Sequence, residues 1–229
     1  MEKIGIIGGG YLLETRVWKN SQKRKTKTPF GSFNFAEFKN LILVSRHGQK
    51  FNLPPHKINY KANIFGLKEL KVKKIFSFNS AASLKKQIKP GDFLIPNDFI
   101  DFDPPTFFDK NLHFITPQLS ERGRKILIKI LSQLKIKFWP EGIYFNTRGP
   151  RLETKAEIKM IKHFADVVGM TMAKEATLAQ EMKLEYASIC SIDNLAHGLE
   201  DEKLCQENIF KNQKNSAKIF EKIIEKIIG

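Results

Sequence analysis

Short apolar runs, each closed by glycines or polar residues, alternate along this chain with segments of helical periodicity. The runs Ile4–Ile7, Leu41–Ser45, Ile75–Phe78, Val167-Val168 and Tyr186–Ile192 are short and bounded by breakers, so they read as buried strands. Between them lie helical patterns. Tyr60, Ile64, Leu67 and Leu70 fall on one helical face, and Ser120 caps a segment whose buried stripe is Leu127, Ile130, Leu131 and Leu134. Thr154-Lys155-Ala156-Glu157 match a capping box, and 207–228 repeats apolar residues near helical spacing, as a closing helix would. Such alternation predicts an α/β fold with a mixed β-sheet flanked by helices. No linker divides the 229 residues, so one domain over 1–229 is expected.

A net charge of +15 raises the question of nucleic acid. Only seven of the 39 basic residues are Arg, and the charge is spread out, which favours a solvated lysine surface over a nucleic-acid interface. The densest cluster, WKNSQKRKTKTP at 18–29, reads as a mobile loop. No run approaches the ~20 apolar residues of a membrane span, and MEKIGIIGGG lacks the form of a signal peptide, so a cytoplasmic protein is expected. Cys190 and Cys205 have no metal-ligand spacing and are expected to be reduced thiols; no metal is implied. His163 and His197 read as satisfied or solvated histidines.

The strand ends carry the chemistry. Gly8-Gly9-Gly10 follows the first run, where glycines let backbone N–H groups approach an anion, although a tight turn without a ligand fits equally well. Arg46-His47 ends the second run, a fixed cation beside a titratable donor, suited to a phosphate. Small residues, Ser80 to Ser83, follow the third. Glu153 stands just outside the capped helix at Thr154, and Met170-Thr171 and Asp193-Asn194 end the last two runs. A mixed α/β sheet gathers ligands at the carboxyl ends of its strands, so these groups are expected to converge.

IGIIGGG, RHG followed by PPHKINYKAN, PGDFLIPNDFID, GPRLETKAEI, VVGMTMAKEATLAQE and YASICSIDN occur in this order from Ile4 to about Gly198. In order and wording they resemble the methylthioadenosine/methylthioinosine phosphorylase branch of the purine nucleoside phosphorylases. The resemblance implies cleavage of the N-glycosidic bond of a purine nucleoside by phosphate, giving free purine and a ribose 1-phosphate. It implies no cofactor, with inorganic phosphate as co-substrate. By resemblance Arg46, His47, Thr171, the main chain at Ser80 and the loop at Gly9 and Gly10 hold phosphate, with Met170 against the sugar. Asp193 is expected at the purine, and with His47 it is the candidate catalytic group; Glu153 accepts N1–H of a 6-oxopurine. A homotrimer is implied, with the aromatic stretch around Phe107, Phe108 and His113 as the element lent to a neighbour's site.

The chain departs from the family at two places. Gly10-Tyr11 stands where the family has Thr-Gly, and Ala82 stands where a glycine is usual, so weaker phosphate binding is expected. Asp193 leans to a 6-aminopurine, but Leu195 stands where adenosine-type members have a second Asp, and Glu153 leans to a 6-oxopurine. The 6-oxopurine nucleosides, methylthioinosine among them, are the favoured substrates. A non-catalytic binding protein on the same fold is the rival reading.

Overall fold

The computed structural model describes residues 2–199 and 206–228, with the side chains of the last helix described at 212 and 215–228. In chain order the elements are β1 (Ile4–Gly8), α1 (Arg16–Lys19), β2 (Gln22–Thr28), β3 (Gly31–Phe38), β4 (Leu41–Ser45), α2 (Tyr60–Glu69) and β5 (Lys74–Ser83). There follow β6 (Phe93–Leu94), β7 (Asp98–Ile100), α3 (Glu121–Gln133), β8 (Phe138–Trp139), β9 (Ile143–Asn146), α4 (Lys155–Ile161), β10 (Val167–Gly169), α5 (Met172–Glu181), β11 (Glu185–Leu195) and α6 (Gln206–Ile228).

Alternation along the strands sends side chains into two separate cores. Ile7, Ile42 and Val44 pack with α2 and α5 through Ile64, Leu67, Met172 and Ala176. Their neighbours Ile6, Leu41 and Leu43 pack on the other face with Leu127, Ile130 and Leu131 of α3 and Phe220, Ile223 and Ile224 of α6. Period 2 on a sheet and period 3.6 on the helices covering it produce the layered α/β architecture. The helix caps fall where the sequence predicts. The Ser120 side chain accepts from Gly123 N–H, and Thr154 and Glu157 form a reciprocal capping box.

Strand β5 organises the sheet. It pairs in parallel with β11 along its whole length, but on its other edge two partners share it. β1 runs parallel to it only from Lys74 to Ser77, and β10 runs antiparallel to it only at Ala82 and Ser83. Because β10 is antiparallel to β5, its carboxyl end points back toward that of β1. The two ends face each other across residues 78–81, leaving a gap in the sheet. This branching differs from the expected strand at Ile75–Phe78 with a loop after it: pairing with β11 keeps residues 79–83 extended.

The expected mobile loop at 18–29 is corrected. Trp18 is buried, capped by Thr15, and Gln22–Thr28 forms an edge strand paired antiparallel with β3. Six of the seven residues of β2 are exposed, so no buried face gives a periodic signal in the sequence. Its lysines blunt an edge that would otherwise invite pairing with another chain. Among the described residues no helix is long and apolar enough to cross a membrane, and no cluster of three or more potential metal ligands occurs. Cys190 is buried, which pushes its thiol up to about 12; Cys205 lies outside the described residues.

Candidate active site

The gap in the sheet is a cavity of about 250 Å³. Of the sequence-selected residues, Gly9, Gly10, Arg46, His47, Ser80, Glu153, Met170 and Thr171 all line it. They arrive from five elements or their ends: β1, β4, the middle of β5, the segment before α4, and the end of β10.

Close approach at the end of β10 depends on Gly169. A Cβ there would lie 2.2 Å from the Tyr144 hydroxyl, which receives the Thr171 N–H at 3.3 Å. The next residues therefore turn into the cavity. Thr171 Oγ1 donates to Asn79 Oδ1 at 2.9 Å, a hydrogen bond that spans the gap between β10 and β5.

Arg46 is almost wholly buried. Its Nε donates to Glu175 Oε1 at 2.6 Å, one terminal nitrogen donates to the Phe78 carbonyl at 2.7 Å, and the other donates to Ser77 Oγ at 2.6 Å and Glu175 Oε2 at 3.2 Å. Burial alone disfavours the guanidinium charge, but the Glu175 carboxylate more than offsets it and holds the pKa above its ordinary value. Glu175 Oε2 also accepts from Ser77 Oγ and from the Tyr186 hydroxyl, both at 2.8 Å. The cation at the cavity floor is thus fixed from behind. Tyr11 shares this floor: its hydroxyl donates to the same Phe78 carbonyl, and its ring packs 4.7 Å from that of Phe220 in α6.

His47 Nδ1 lies 2.8 Å from the Leu53 carbonyl, so the proton sits on Nδ1 and Nε2 is the other functional nitrogen. Burial, reinforced by Arg46, holds its pKa below the ordinary value. The unfolded chain therefore takes up a proton near about pH 6.5 before the folded protein does. Stability is full above that pH and falls as pH drops toward the folded value. Urea midpoints measured between pH 7.5 and 5 should decline, and His47→Gln should flatten part of that slope.

Asp193 and Asn194 take different positions. The register of β11 against β5 slips between Ile192 and Asn194, so Asp193 is the extra residue of a bulge. Asn212 of α6 donates to the Asp193 carbonyl at 2.7 Å. Asn194 lines the cavity, whereas the Asp193 side chain is buried beside it and accepts a hydrogen bond from Ser80 Oγ. Asp193, expected at the purine, is thus not itself among the residues that line the cavity and reaches its wall through Ser80. Asn194 donates one amide hydrogen to the Leu195 carbonyl at 2.8 Å, which leaves a second donor and the amide oxygen.

Glu153 is buried and accepts from Thr147 Oγ1 at 2.6 Å, while its carbonyl lies 3.3 Å from His197 Nδ1. Asn194, expected from sequence only as part of the Asp193-Asn194 strand end, and Tyr11, noted there only beside Gly10, both line the cavity, as does Phe51, which with Glu175 has no strand-end position to mark it. Glu175 had one signal there, an acidic residue one helical turn after Thr171 on the helix face that turns inward.

A family model described as the phosphorylase superfamily matches residues 3–229. The chain belongs to the phosphorylase superfamily. Among its relatives, a probable 6-oxopurine nucleoside phosphorylase of Archaeoglobus fulgidus is 39% identical over 233 residues, covering 98% of this chain and 95% of the relative. A probable S-methyl-5′-thioinosine phosphorylase of Methanocaldococcus jannaschii is 40% identical, covering 99% and 92%. A methylthioadenosine phosphorylase of Schistosoma mansoni, solved with adenine, superposes with a TM-score of 0.88 at 26% identity, covering 99% of this chain and 90% of that one. Superfamily membership accounts for the mixed sheet and for strand ends that meet at one cavity.

Proposed function

We propose that the protein is a purine nucleoside phosphorylase that cleaves 6-oxopurine nucleosides, methylthioinosine among them, with inorganic phosphate. The observation that carries this reading is the juxtaposition, in one cavity, of an anion cradle and a carboxylate–amide pair. Gly9, Gly10, Arg46, His47 and Thr171 lie together, and Glu153 and Asn194 line the same cavity.

Phosphate binds against the backbone at Gly9, Gly10 and Ser80, near Arg46, His47 and Thr171, with the sugar over Met170. Phosphate oxygen forms a bond to C1′ as the C1′–N9 bond breaks and its electron pair passes to the purine. The transition state resembles an oxocarbenium ion, so the protein acts mainly by positioning the phosphate and by relieving negative charge on the leaving base. A 6-oxopurine offers N1–H to the Glu153 carboxylate, and Asn194 can donate to O6 or accept a proton-bearing N7. A 6-aminopurine would set its N1 lone pair against that carboxylate, which leaves two acceptors facing each other. Asp193 acts from behind, through the Ser80 hydroxyl and the bulge that aims Asn194.

Thr171→Ala removes from the cradle a hydroxyl whose one proton goes to Asn79 Oδ1 and turns to phosphate when phosphate binds. A hydrogen bond to a charged group contributes about 1.5–3 kcal/mol, so the phosphate KM should rise roughly 10- to 150-fold, with a much smaller change in nucleoside KM. Initial rates over a phosphate series check this.

The reading includes a homotrimer with the stretch around Phe107, Phe108 and His113 at a neighbour's site. Phe107 packs 5.0 Å from Phe30, and Leu112 and Phe114 are 91% and 87% exposed, apolar surface suited to burial by another subunit. Size-exclusion with light scattering should give three chains; a fully active monomer would contradict it. The experiment for the reaction itself is incubation with methylthioinosine, methylthioadenosine, inosine and adenosine, with and without phosphate, resolving the bases by chromatography.

A further inference from the structure

Phe51 stands at the phosphate end of the cavity in an unusual way. It lines the cavity although it is 46% exposed, and its backbone adopts a left-handed φ of 50°. The turn that carries it is closed on His47: Asn52 and Leu53 N–H both donate to the His47 carbonyl at 3.0 Å, and Phe51 N–H donates to the Gly48 carbonyl at 3.0 Å. The Phe51 ring meets the His47 ring edge-on, with centroids 5.2 Å apart. It also leans over Gly10. A Cβ at position 10 would lie 2.9 Å from two ring carbons of Phe51, closer than any side chain can sit.

We infer that Phe51 selects the nucleophile. Its ring covers the phosphate subsite from solvent, and Gly10 is the residue that lets it close. The inference rests on the phosphorolytic reading above. The oxocarbenium-like centre that phosphate attacks is open to water too. In that competing reaction a water oxygen bonds to C1′, the C1′–N9 electron pair passes to the purine, and water's proton balances its charge, giving free purine and a reducing sugar. An apolar ring over the subsite keeps bulk water out and leaves the phosphate contacts in a drier, more strongly interacting environment.

The test measures free purine, sugar 1-phosphate and reducing sugar from inosine with a phosphate series, in the intact protein and its variants. Phe51→Ala should raise the reducing-sugar fraction and the phosphate KM, each by about tenfold, the scale of one lost aromatic contact, with nucleoside KM nearly unchanged. Phe51→Tyr, which keeps the ring, should hold the reducing-sugar fraction low. Gly10→Ala forces the ring aside and should reproduce Phe51→Ala, and the double variant should be no worse than Phe51→Ala alone. The half-exposed ring makes loss of fold a poor explanation, which thermal unfolding of each variant checks. An unchanged product ratio and phosphate KM in Phe51→Ala, or fully additive effects in the double variant, would overturn the inference while leaving phosphorolysis intact. Release of purine at equal rates with and without phosphate by the unmodified protein would overturn phosphorolysis itself, and this inference with it.

Discussion

Replacing Glu175 with alanine should destabilise the protein by about 3–5 kcal/mol, the usual effect of leaving a buried charge without its partner. The Glu175 carboxylate takes two hydrogen bonds from Arg46 and one each from Ser77 and Tyr186, and Arg46 and Glu175 side chains are both 2% exposed. Alanine would strand the guanidinium and two hydroxyls in a space that water does not easily reach. For a domain of this size each kcal/mol shifts Tm by about 2–4 °C, so the drop should be on the order of 10 °C. Glu175→Gln keeps the shape and one acceptor and should lose less. Thermal and urea unfolding, with a phosphate titration of whatever remains folded, separate the structural from the binding effect. A variant as stable as the parent would show that Arg46 finds another partner.

Asn194→Ala should lower kcat on inosine by about 10²–10³-fold, the range seen when one donor to a developing negative charge is removed. The purine gains charge as it departs, and Asn194 offers the cavity an amide from the bulged end of β11. The fold should be little affected, because this side chain is only partly buried and, among the described residues, bonds just to the Leu195 carbonyl. Asn194→Asp should shift preference from inosine toward adenosine, since a carboxylate accepts from a 6-amino group and repels O6. Competition between the two nucleosides in one reaction measures the shift. Equal kcat for Asn194→Ala and the parent would remove Asn194 from the mechanism.

The sequence made the layers legible because each rests on a local pattern: alternating Ile6 and Ile7 on β1, the stripe Leu127, Ile130 and Leu131 on α3, the box Thr154–Glu157. It made the meeting of the strand ends legible as well, since several buried runs in turn are closed by glycines or polar residues, although each of these alone also fits a turn without a ligand. Three things escaped it, each because the deciding contact is far away in sequence. The lysine strand β2 exists through its partner β3, which a polar stretch cannot announce. The bulge at Asp193 is a register choice between β11 and β5, and it exchanges the side chain that lines the cavity for its neighbour, Asn194. Glu175 is tied to Arg46 across 129 positions, so the fixed cation expected at the phosphate has most of its donors already committed.

Tyr11 belongs with these long-range effects. In sequence it stands only for a lost glycine; in the fold its hydroxyl shares the Phe78 carbonyl with Arg46, and its ring touches Phe220. Together with the Asn212 contact to the Asp193 carbonyl, this ties the closing helix α6 to two residues beside the cavity.

The central claim is phosphorolysis of a 6-oxopurine nucleoside at the gap in the sheet. The most direct measurement incubates the purified protein with methylthioinosine, inosine and adenosine, with and without phosphate, and resolves free bases and sugar phosphates. The account predicts hypoxanthine and a ribose 1-phosphate derivative in equal amounts only when phosphate is present, with little adenine. Base release that ignores phosphate, or no base release from any of the three, would contradict it.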